Sequence, residues 1–242
     1  MELRGRAALV TGAGHRVGRA IALALAARGV RVAVHYNRSG VPAEETAARI
    51  RQAGGDARLL QADLTRPEAP ARLVDDAATA LDGLDILVNS AAVMERTPIG
   101  EVTTEAWDAM FALNLRAPFF ASQAAARHMT KGGAIVNIAD LAAFETWPAY
   151  VPHGISKAGV VQMTRALART LAPAVRVNAV APGVVLLPET WSAADADRLA
   201  STTPLRRVGS PDDVAGAVLY LLEADYVTGH TIIVDGGRHV RT

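Results

Sequence analysis

The feature that most constrains this chain is a regular alternation of short apolar runs with longer helical patterns. The apolar runs predict strands over 6–11, 31–36, 57–62, 84–89, 133–139, 175–181 and 230–235. The helical patterns cover 17–29, 43–55, 67–80, 104–130, 152–172 and 211–222. Strands that are apolar throughout and separated by helices are typical of a parallel sheet covered on both faces. We therefore predict one α/β domain over residues 1–242, with a doubly wound parallel sheet of about seven strands.

The composition argues against several classes of protein. The net charge is +1 with acids and bases interleaved, so we expect no nucleic-acid partner. The chain has no cysteine, and its six histidines lack metal-ligand spacing, so we expect neither a disulfide nor a metal site. No apolar run reaches the about 18 residues that cross a membrane. The first residues resemble neither a signal nor a transit peptide, and a cytoplasmic setting is expected.

A glycine-rich turn, TGAGHRVG at residues 11–18, separates the first strand from the first helix. Gly12 permits a sharp turn, and Gly14 or Gly18 permits the close approach of backbone or phosphate. The start of the helix would then face the pyrophosphate of a dinucleotide. An ordinary strand-to-helix connection is the alternative, but the position of the turn favours a dinucleotide site. The predicted contacts are Gly12, Gly14, His15, Arg16, Val17 and Gly18.

The end of the second strand indicates which dinucleotide is bound. NAD sites usually place an acid there for the ribose 2′-hydroxyl, whereas this chain has HYNRSG at 35–40. Arg38 can hold a 2′-phosphate with two hydrogen bonds, Ser39 can add a hydroxyl, and Arg16 can approach from the glycine turn. The sequence therefore predicts NADP(H) rather than NAD(H). The predicted contacts here are Tyr36, Asn37, Arg38 and Ser39.

Further motifs follow in a familiar order: ADL at 62–64, NSAA at 89–92, Asn114, SK at 156–157, APG at 181–183 and VDGG at 234–237. Together with the glycine turn they resemble the short-chain dehydrogenase/reductase family over essentially the whole chain. The resemblance implies a Rossmann-like fold, an oxidoreductase activity and a homotetramer packed through the helices at 104–130 and 152–172. Within the family, residues 11–39 are most similar to the pteridine reductase branch, which also has an arginine at the place of Arg16.

The resemblance also implies roles for single residues. Lys157, one of two lysines in the chain, would bind the ribose next to the nicotinamide, and Asn114 would hold a water in a proton relay. The other implied cofactor contacts are Asp63 and Leu64 at the adenine, Asn89, Ser90 and Ala91 at the ribose, and Pro182 and Gly183 at the nicotinamide.

The family's acid is a tyrosine, but this chain has His153 there, one helical turn before Lys157. Asp140 stands where most members have serine, and pteridine reductases also have aspartate. A charged imidazolium between Asp140 and Lys157 could donate a proton while NADPH delivers hydride. Because imidazole is shorter than phenol, a bridging water, Tyr150 or Asp140 itself are alternative donors.

Two departures bear on the substrate. Met94 stands where pteridine reductases stack an aromatic ring on the pterin, and residues 182–189 lack the threonine with which many members hold the carboxamide. Phe144, Trp147 and Trp191 could line a substrate pocket or simply pack. The prediction is an NADPH-dependent reductase of a carbonyl or ring C=N group. The alternative is a non-catalytic NADP(H)-binding protein, a sensor or a structural subunit.

Overall fold

The computed structural model describes residues 1–185, 192–201 and 203–240. Its centre is one parallel sheet in the order β3-β2-β1-β4-β5-β6-β7. The strands are β1 Ala7–Val10, β2 Arg31–Tyr36, β3 Ala57–Gln61, β4 Ile86–Asn89, β5 Gly133–Ile138, β6 Val175–Pro182 and β7 Thr231–Val234. Each predicted strand matches one of these, so the doubly wound parallel sheet is confirmed.

Helices cover both faces of the sheet. They are α1 Arg16–Ala27, α2 Gly40–Gln52, α3 Ala69–Ala80, α4 Thr104–Phe111, α5 Ala117–His128, α6 Val151–Leu171, α7 Ala193–Ser201 and α8 Pro211–Glu223. One apolar core lies between the sheet and α1, α2 and α8, and a second lies between the sheet and α3, α5 and α6. In the part of the chain that the structure describes, no helix is long and apolar enough to span a membrane.

The prediction of one continuous helix over 104–130 is wrong. The structure divides it into α4, a π-helical turn over Ala112–Arg116, and α5. Pro118 lies in the first turn of α5 and has no N–H to donate to the carbonyl of Asn114, four residues earlier. The regular hydrogen-bond ladder is therefore interrupted at Asn114. Helix α7 was not predicted, since its nine residues carry only a short apolar pattern.

The strand order places a crevice between β1 and β4. From β1 the chain winds outward to β2 and β3 on one side and to β4 and β5 on the other. Thr11 joins the two strand ends, because its Oγ1 accepts hydrogen bonds from the N–H groups of Ser90 at 2.9 Å and Ala91 at 3.0 Å. Ligands of open α/β sheets bind outside the carboxyl ends of the strands at such a point.

Candidate active site

A cleft of about 1080 Å³ lies over these strand ends. It brings together all the predicted site residues except Asp63, Asn89 and Asn114. Those on its wall are Gly12, Gly14, His15, Arg16, Val17, Gly18, Tyr36, Asn37, Arg38, Ser39, Leu64, Ser90, Ala91, Asp140, His153, Lys157, Pro182 and Gly183. Residues separated by more than 150 positions in the sequence therefore share one site.

The glycine turn has the shape that a phosphate needs. Gly12 adopts a left-handed conformation with φ 67°, which favours glycine. A Cβ on Gly18 would collide with the carbonyl oxygen of Gly12, so the start of α1 packs directly on the turn. His15 caps α1 without a side-chain hydrogen bond, and the first turn of the helix contains no acid. The positive end of α1 thus faces the cleft without a neutralising carboxylate.

The side chain of His35 fixes the backbone of this turn, a role that the sequence did not indicate. Its Nδ1 accepts a hydrogen bond from the N–H of Gly12 at 3.1 Å, and its Nε2 lies 3.1 Å from the carbonyl oxygen of Ala62. A carbonyl can only accept, so Nε2 carries the hydrogen. Burial lowers the pKa of His35 to about 4, while the bond to Ala62 raises it. The ring is therefore neutral near pH 7 and links β1, β2 and β3.

Two exposed guanidinium groups flank the far end of the cleft. Arg38 follows β2, and Arg16 begins α1 with φ 55°. Ser39 is the N-cap of α2 and makes no side-chain capping bond, so its hydroxyl can serve a ligand. The first turn of α2 also contains no acid. This end of the cleft is shaped for an anion.

Asp63 and Asn89 lie behind the cleft wall rather than on it. Asp63 accepts hydrogen bonds from the N–H and hydroxyl of Thr65, which lower the pKa of the Asp63 carboxyl, and the charges of Arg66 and Arg38 lower it further. The buried Asn89 amide donates to Asn137 at 2.8 Å and to Ser122 at 3.2 Å. In this structure both side chains stabilise their own loops and strand ends.

Lys157 lies at the opposite end of the cleft, on α6. Its side chain is buried, and its Nζ donates a hydrogen bond to the carbonyl oxygen of Ile138 at 2.8 Å. Burial lowers the pKa of Lys157 to about 8, while the negative charge of Asp140 raises it. A buried ammonium with one protein acceptor has further N–H groups to offer to hydroxyls in the cleft.

His153 and Asp140 form a pair beside this lysine. His153 Nδ1 lies 3.3 Å from the carbonyl oxygen of Val93, and Nε2 lies 3.7 Å from Asp140 Oδ2. Because the Val93 carbonyl accepts, Nδ1 carries a hydrogen, and in the neutral ring Nε2 then carries a lone pair. Nε2 is buried and has no hydrogen-bond partner among the described residues. The Asp140 side chain is 23% exposed, whereas that of His153 is 2% exposed, so the carboxyl is more accessible.

Asn114 fixes the backbone that holds His153. Its side-chain oxygen accepts from the N–H of Val93 at 2.9 Å, and its amide donates to the Val93 carbonyl at 2.9 Å and to Ser156 Oγ at 3.1 Å. These bonds connect the π-helical turn to α6 and to the loop after β4. The Asn114 side chain is thus engaged with protein, and π-helical turns of this kind are frequent at functional sites.

The remaining wall of the cleft is largely apolar. Trp147 and Tyr150 lie on it with ring centroids 6.2 Å apart in an edge-to-face arrangement, and Met94 is another lining residue. Phe144 is 46% exposed and lies off the cleft lining, whereas Trp191 is outside the described residues. Val184, Val185, Leu199 and Arg238 also line the cleft and were not predicted. No group of three or more His, Asp or Glu side chains within the described ranges could hold a metal.

Comparisons with known proteins identify the family of the chain. The family described as enoyl-(acyl carrier protein) reductase matches residues 12–239. A 3-oxoacyl-(acyl-carrier-protein) reductase of Synechocystis sp. is 36% identical, with 97% of this chain and 97% of that protein covered. A short chain dehydrogenase of Burkholderia cenocepacia J2315 in complex with NADP has a TM-score of 0.92 and 37% identity over 98% of this chain and 99% of its own. The angucycline C-6 ketoreductase LanV with bound NADP has a TM-score of 0.93 and 34% identity, covering 99% and 98% of the two chains.

The chain belongs to the short-chain dehydrogenase/reductase family. The prediction of an oxidoreductase with a Rossmann-like fold is therefore confirmed at the level of the family. These relatives are described as a 3-oxoacyl reductase, a ketoreductase and a dehydrogenase, and none of the three is described as a pteridine reductase. Family membership establishes the fold and the oxidoreductase chemistry. The roles of Asp140 and His153 must be inferred from the geometry of this chain.

Proposed function

We propose that this chain is an NADPH-dependent reductase of a carbonyl or ring C=N group on a small, flat substrate. The observation that carries the proposal is the continuity of one cleft, which runs from the exposed Arg16 and Arg38 to the buried Lys157. Two solved relatives are described as holding NADP, which supports the choice of cofactor. Relatives described as ketoreductases favour a carbonyl over a pterin, as does Met94.

The residues along the cleft fit this cofactor. The positive start of α1 and the glycine turn would hold the pyrophosphate, and Arg16, Arg38 and Ser39 the 2′-phosphate. Lys157 would bind the ribose hydroxyls, and Gly183 would border the nicotinamide. A bound NADPH supplies a hydride to the substrate. The protein must then position the substrate and provide one proton.

We assign that proton to the Asp140–His153 pair. The Val93 carbonyl keeps a hydrogen on His153 Nδ1, so a neutral ring would direct the Nε2 lone pair at the Asp140 carboxylate. Two facing lone pairs repel, and one proton on the Asp140 carboxyl removes the repulsion. The more accessible Asp140 gives this proton to the substrate oxygen or nitrogen, and a proton from water that reaches the partly exposed Asp140 restores the pair for the next turnover. His153 is then a positioning residue, and its short ring need not reach the substrate.

The test is NADPH oxidation with a panel of aromatic ketones, quinones and dihydropterins. Asp140→Asn is expected to lower kcat by about 100-fold or more. Tyr150→Phe is expected to change it less than threefold, because the Asp140–His153 pair supplies the proton. His153→Gln should lower kcat and alter the pH–rate profile, because an amide that does not titrate then faces the Asp140 carboxyl. A Tyr150→Phe variant without activity would make Tyr150 the acid instead.

The alternative is a non-catalytic NADP(H)-binding protein. It is favoured by one observation, that His153 Nε2 is buried and has no hydrogen-bond partner among the described residues. It predicts tight NADPH binding with no turnover across the panel, and activity that appears only in His153→Tyr. Turnover by the natural chain that Asp140→Asn removes would exclude this alternative.

A homo-oligomer remains a proposal from the family resemblance. A second, largely apolar groove of about 670 Å³ lies between α4, α5 and α6. Phe119 and Phe120 line it and are 40% and 39% exposed. We propose that a second copy of the chain covers this groove. Light scattering of the natural chain should give a mass above 25.3 kDa, and Phe119→Glu with Phe120→Glu should reduce it to that of one chain.

A further inference from the structure

We infer that the substrate end of the cleft carries a recognition site for an acidic group, formed by Arg238 with Glu145 and Trp147. The inference rests on the proposed function in that the site adjoins the Asp140–His153 pair within the same cleft. It adds the substrate class, which is a flat aromatic molecule bearing a carboxylate or another oxyanion.

Arg238 reaches the cleft from the last described turn of the chain, Arg238–Val240. This turn is fixed by Asp235, whose carboxylate accepts from the N–H of Gly237 at 2.8 Å and from the N–H and Nδ1 of His239 at 2.7 and 2.8 Å. The Asp235 side chain is 3% exposed. Because the backbone of this turn is already fixed, it loses little conformational entropy when the guanidinium binds a ligand.

The contacts of Arg238 leave most of its donors available. Its Nε lies 3.9 Å from Glu145 Oε2, beyond hydrogen-bond distance, and the side chain is 26% exposed. Its Nη groups have no side-chain or backbone acceptor among the described residues. The same Glu145 oxygen accepts a hydrogen bond from Trp147 Nε1 at 3.0 Å. Glu145 is thus held by the indole and balances one edge of the guanidinium, while the Nη edge can take a carboxylate with two hydrogen bonds.

The neighbouring surface suits an aromatic ring. Trp147 and Tyr150 are neighbours on the cleft wall, Met94 lines the same cleft, and aromatic side chains bind flat ligands through their faces and edges. A flat substrate that lies against these residues can direct its acidic group towards Arg238 and its carbonyl towards Asp140. Arg238 would then determine both the orientation of the substrate and its class.

Two non-reducible probes test the inference, 2-naphthoate and the neutral 2-naphthamide, by quenching of tryptophan fluorescence. The natural chain should bind the carboxylate about tenfold or more tightly than the amide. Arg238→Gln should remove this preference, and Arg238→Lys should keep part of it. The control Arg72→Gln, an exposed arginine on α3 with its side chain 82% exposed, should leave it unchanged.

The variant Glu145→Gln tests whether Arg238 binds the acidic group of a ligand or only contacts Glu145. It retains an oxygen for Trp147 but removes the charge that opposes the ligand, so naphthoate should bind a few-fold more tightly. If Glu145→Gln and Arg238→Gln weakened naphthoate binding equally, the inference would be overturned. It would also be overturned if the natural chain did not prefer naphthoate to naphthamide. Measurements with and without NADP⁺ keep the outcomes distinct. A chain that binds no NADP(H) but still prefers naphthoate contradicts the proposed function and leaves this inference intact.

Discussion

The two ends of the cleft are constructed in different ways. The phosphate end is formed by backbone: a left-handed Gly12, the contact of Gly18 with that turn, and the start of α1. The proton end is formed by buried side chains, with His153 and Lys157 packed on α6. A backbone site tolerates only a few residue types, whereas a side-chain site can change its chemistry at constant spacing. Binding of the cofactor and transfer of the proton can therefore vary separately in such a protein.

The largest effect is expected at the phosphate end. In Gly18→Ala the new methyl group meets the carbonyl of Gly12, and α1 must shift. We expect a loss of about 3 kcal/mol or more of unfolding free energy, measured by urea denaturation, together with loss of NADPH binding.

Gly216→Ala is the matched control, because nothing lies within 4 Å of a Cβ at that position of α8. It should gain about 0.5–1 kcal/mol. Equal stability of the two variants would show that the turn is not tightly packed.

Acid should act on the same end through His35. Its folded pKa of about 4 lies below the unfolded value of 6.5, so the unfolded chain takes up a proton first as the pH falls. The contribution of His35 to stability is complete above pH 6.5 and is lost towards pH 4, by about 3 kcal/mol in total.

The variant His35→Asn can still accept the bond from Gly12 and does not titrate. Its unfolding free energy, measured by urea denaturation from pH 7 to pH 4, should fall less steeply than that of the natural chain. Parallel curves for the two chains would count against this account.

At the proton end, Lys157 is expected to lower the unfolding free energy of the cofactor-free chain. Its folded pKa of about 8 lies below the ordinary value of 10.5, so the charged form is disfavoured by burial at neutral pH. Lys157→Met should raise the unfolding free energy of the cofactor-free chain at pH 7 by about 1–2 kcal/mol while weakening NADPH binding. The stability of the natural chain should rise between pH 8 and 10.5, and that of the variant should not. A less stable variant at pH 7 would mean that the bond to Ile138 outweighs the burial of the charge.

The smallest effect is expected from an exposed charge at the phosphate end. Arg38→Gln should weaken NADPH binding by about tenfold and leave NADH binding unchanged, because only the 2′-phosphate is lost as a partner. The control is Arg49→Gln, which changes an exposed arginine on α2 that does not line the cleft. Similar losses for NADPH and NADH in Arg38→Gln would place its guanidinium elsewhere than at the 2′-phosphate.

The fold could be predicted from sequence because each strand is a short apolar run and some helix boundaries have a local signal. Ser210 illustrates this, since it caps α8 in a capping box with Asp213 as its pattern indicates. The π-helical turn at Asn114 could not be predicted, because the apolar pattern continues through it and only Pro118 gives a hint.

The phosphate end of the site was also more predictable than the proton end. Its residues lie in two short segments, 12–18 and 36–39, and the glycine spacing of the first reflects the backbone directly. His35 and Arg238 were missed because their roles depend on neighbours far away in the chain, the Gly12 amide and Glu145. The packing of the chain also makes Asp140 more exposed to the cleft than His153. The spacing of the two residues in the sequence does not predict this difference.

Isothermal titration of the natural chain with NADPH and NADH is the most direct test of the central claim. The account predicts that NADPH binds at least about tenfold more tightly than NADH, because Arg16, Arg38 and Ser39 gain a phosphate partner. Equal affinities, tighter binding of NADH, or no heat with either nucleotide would contradict it.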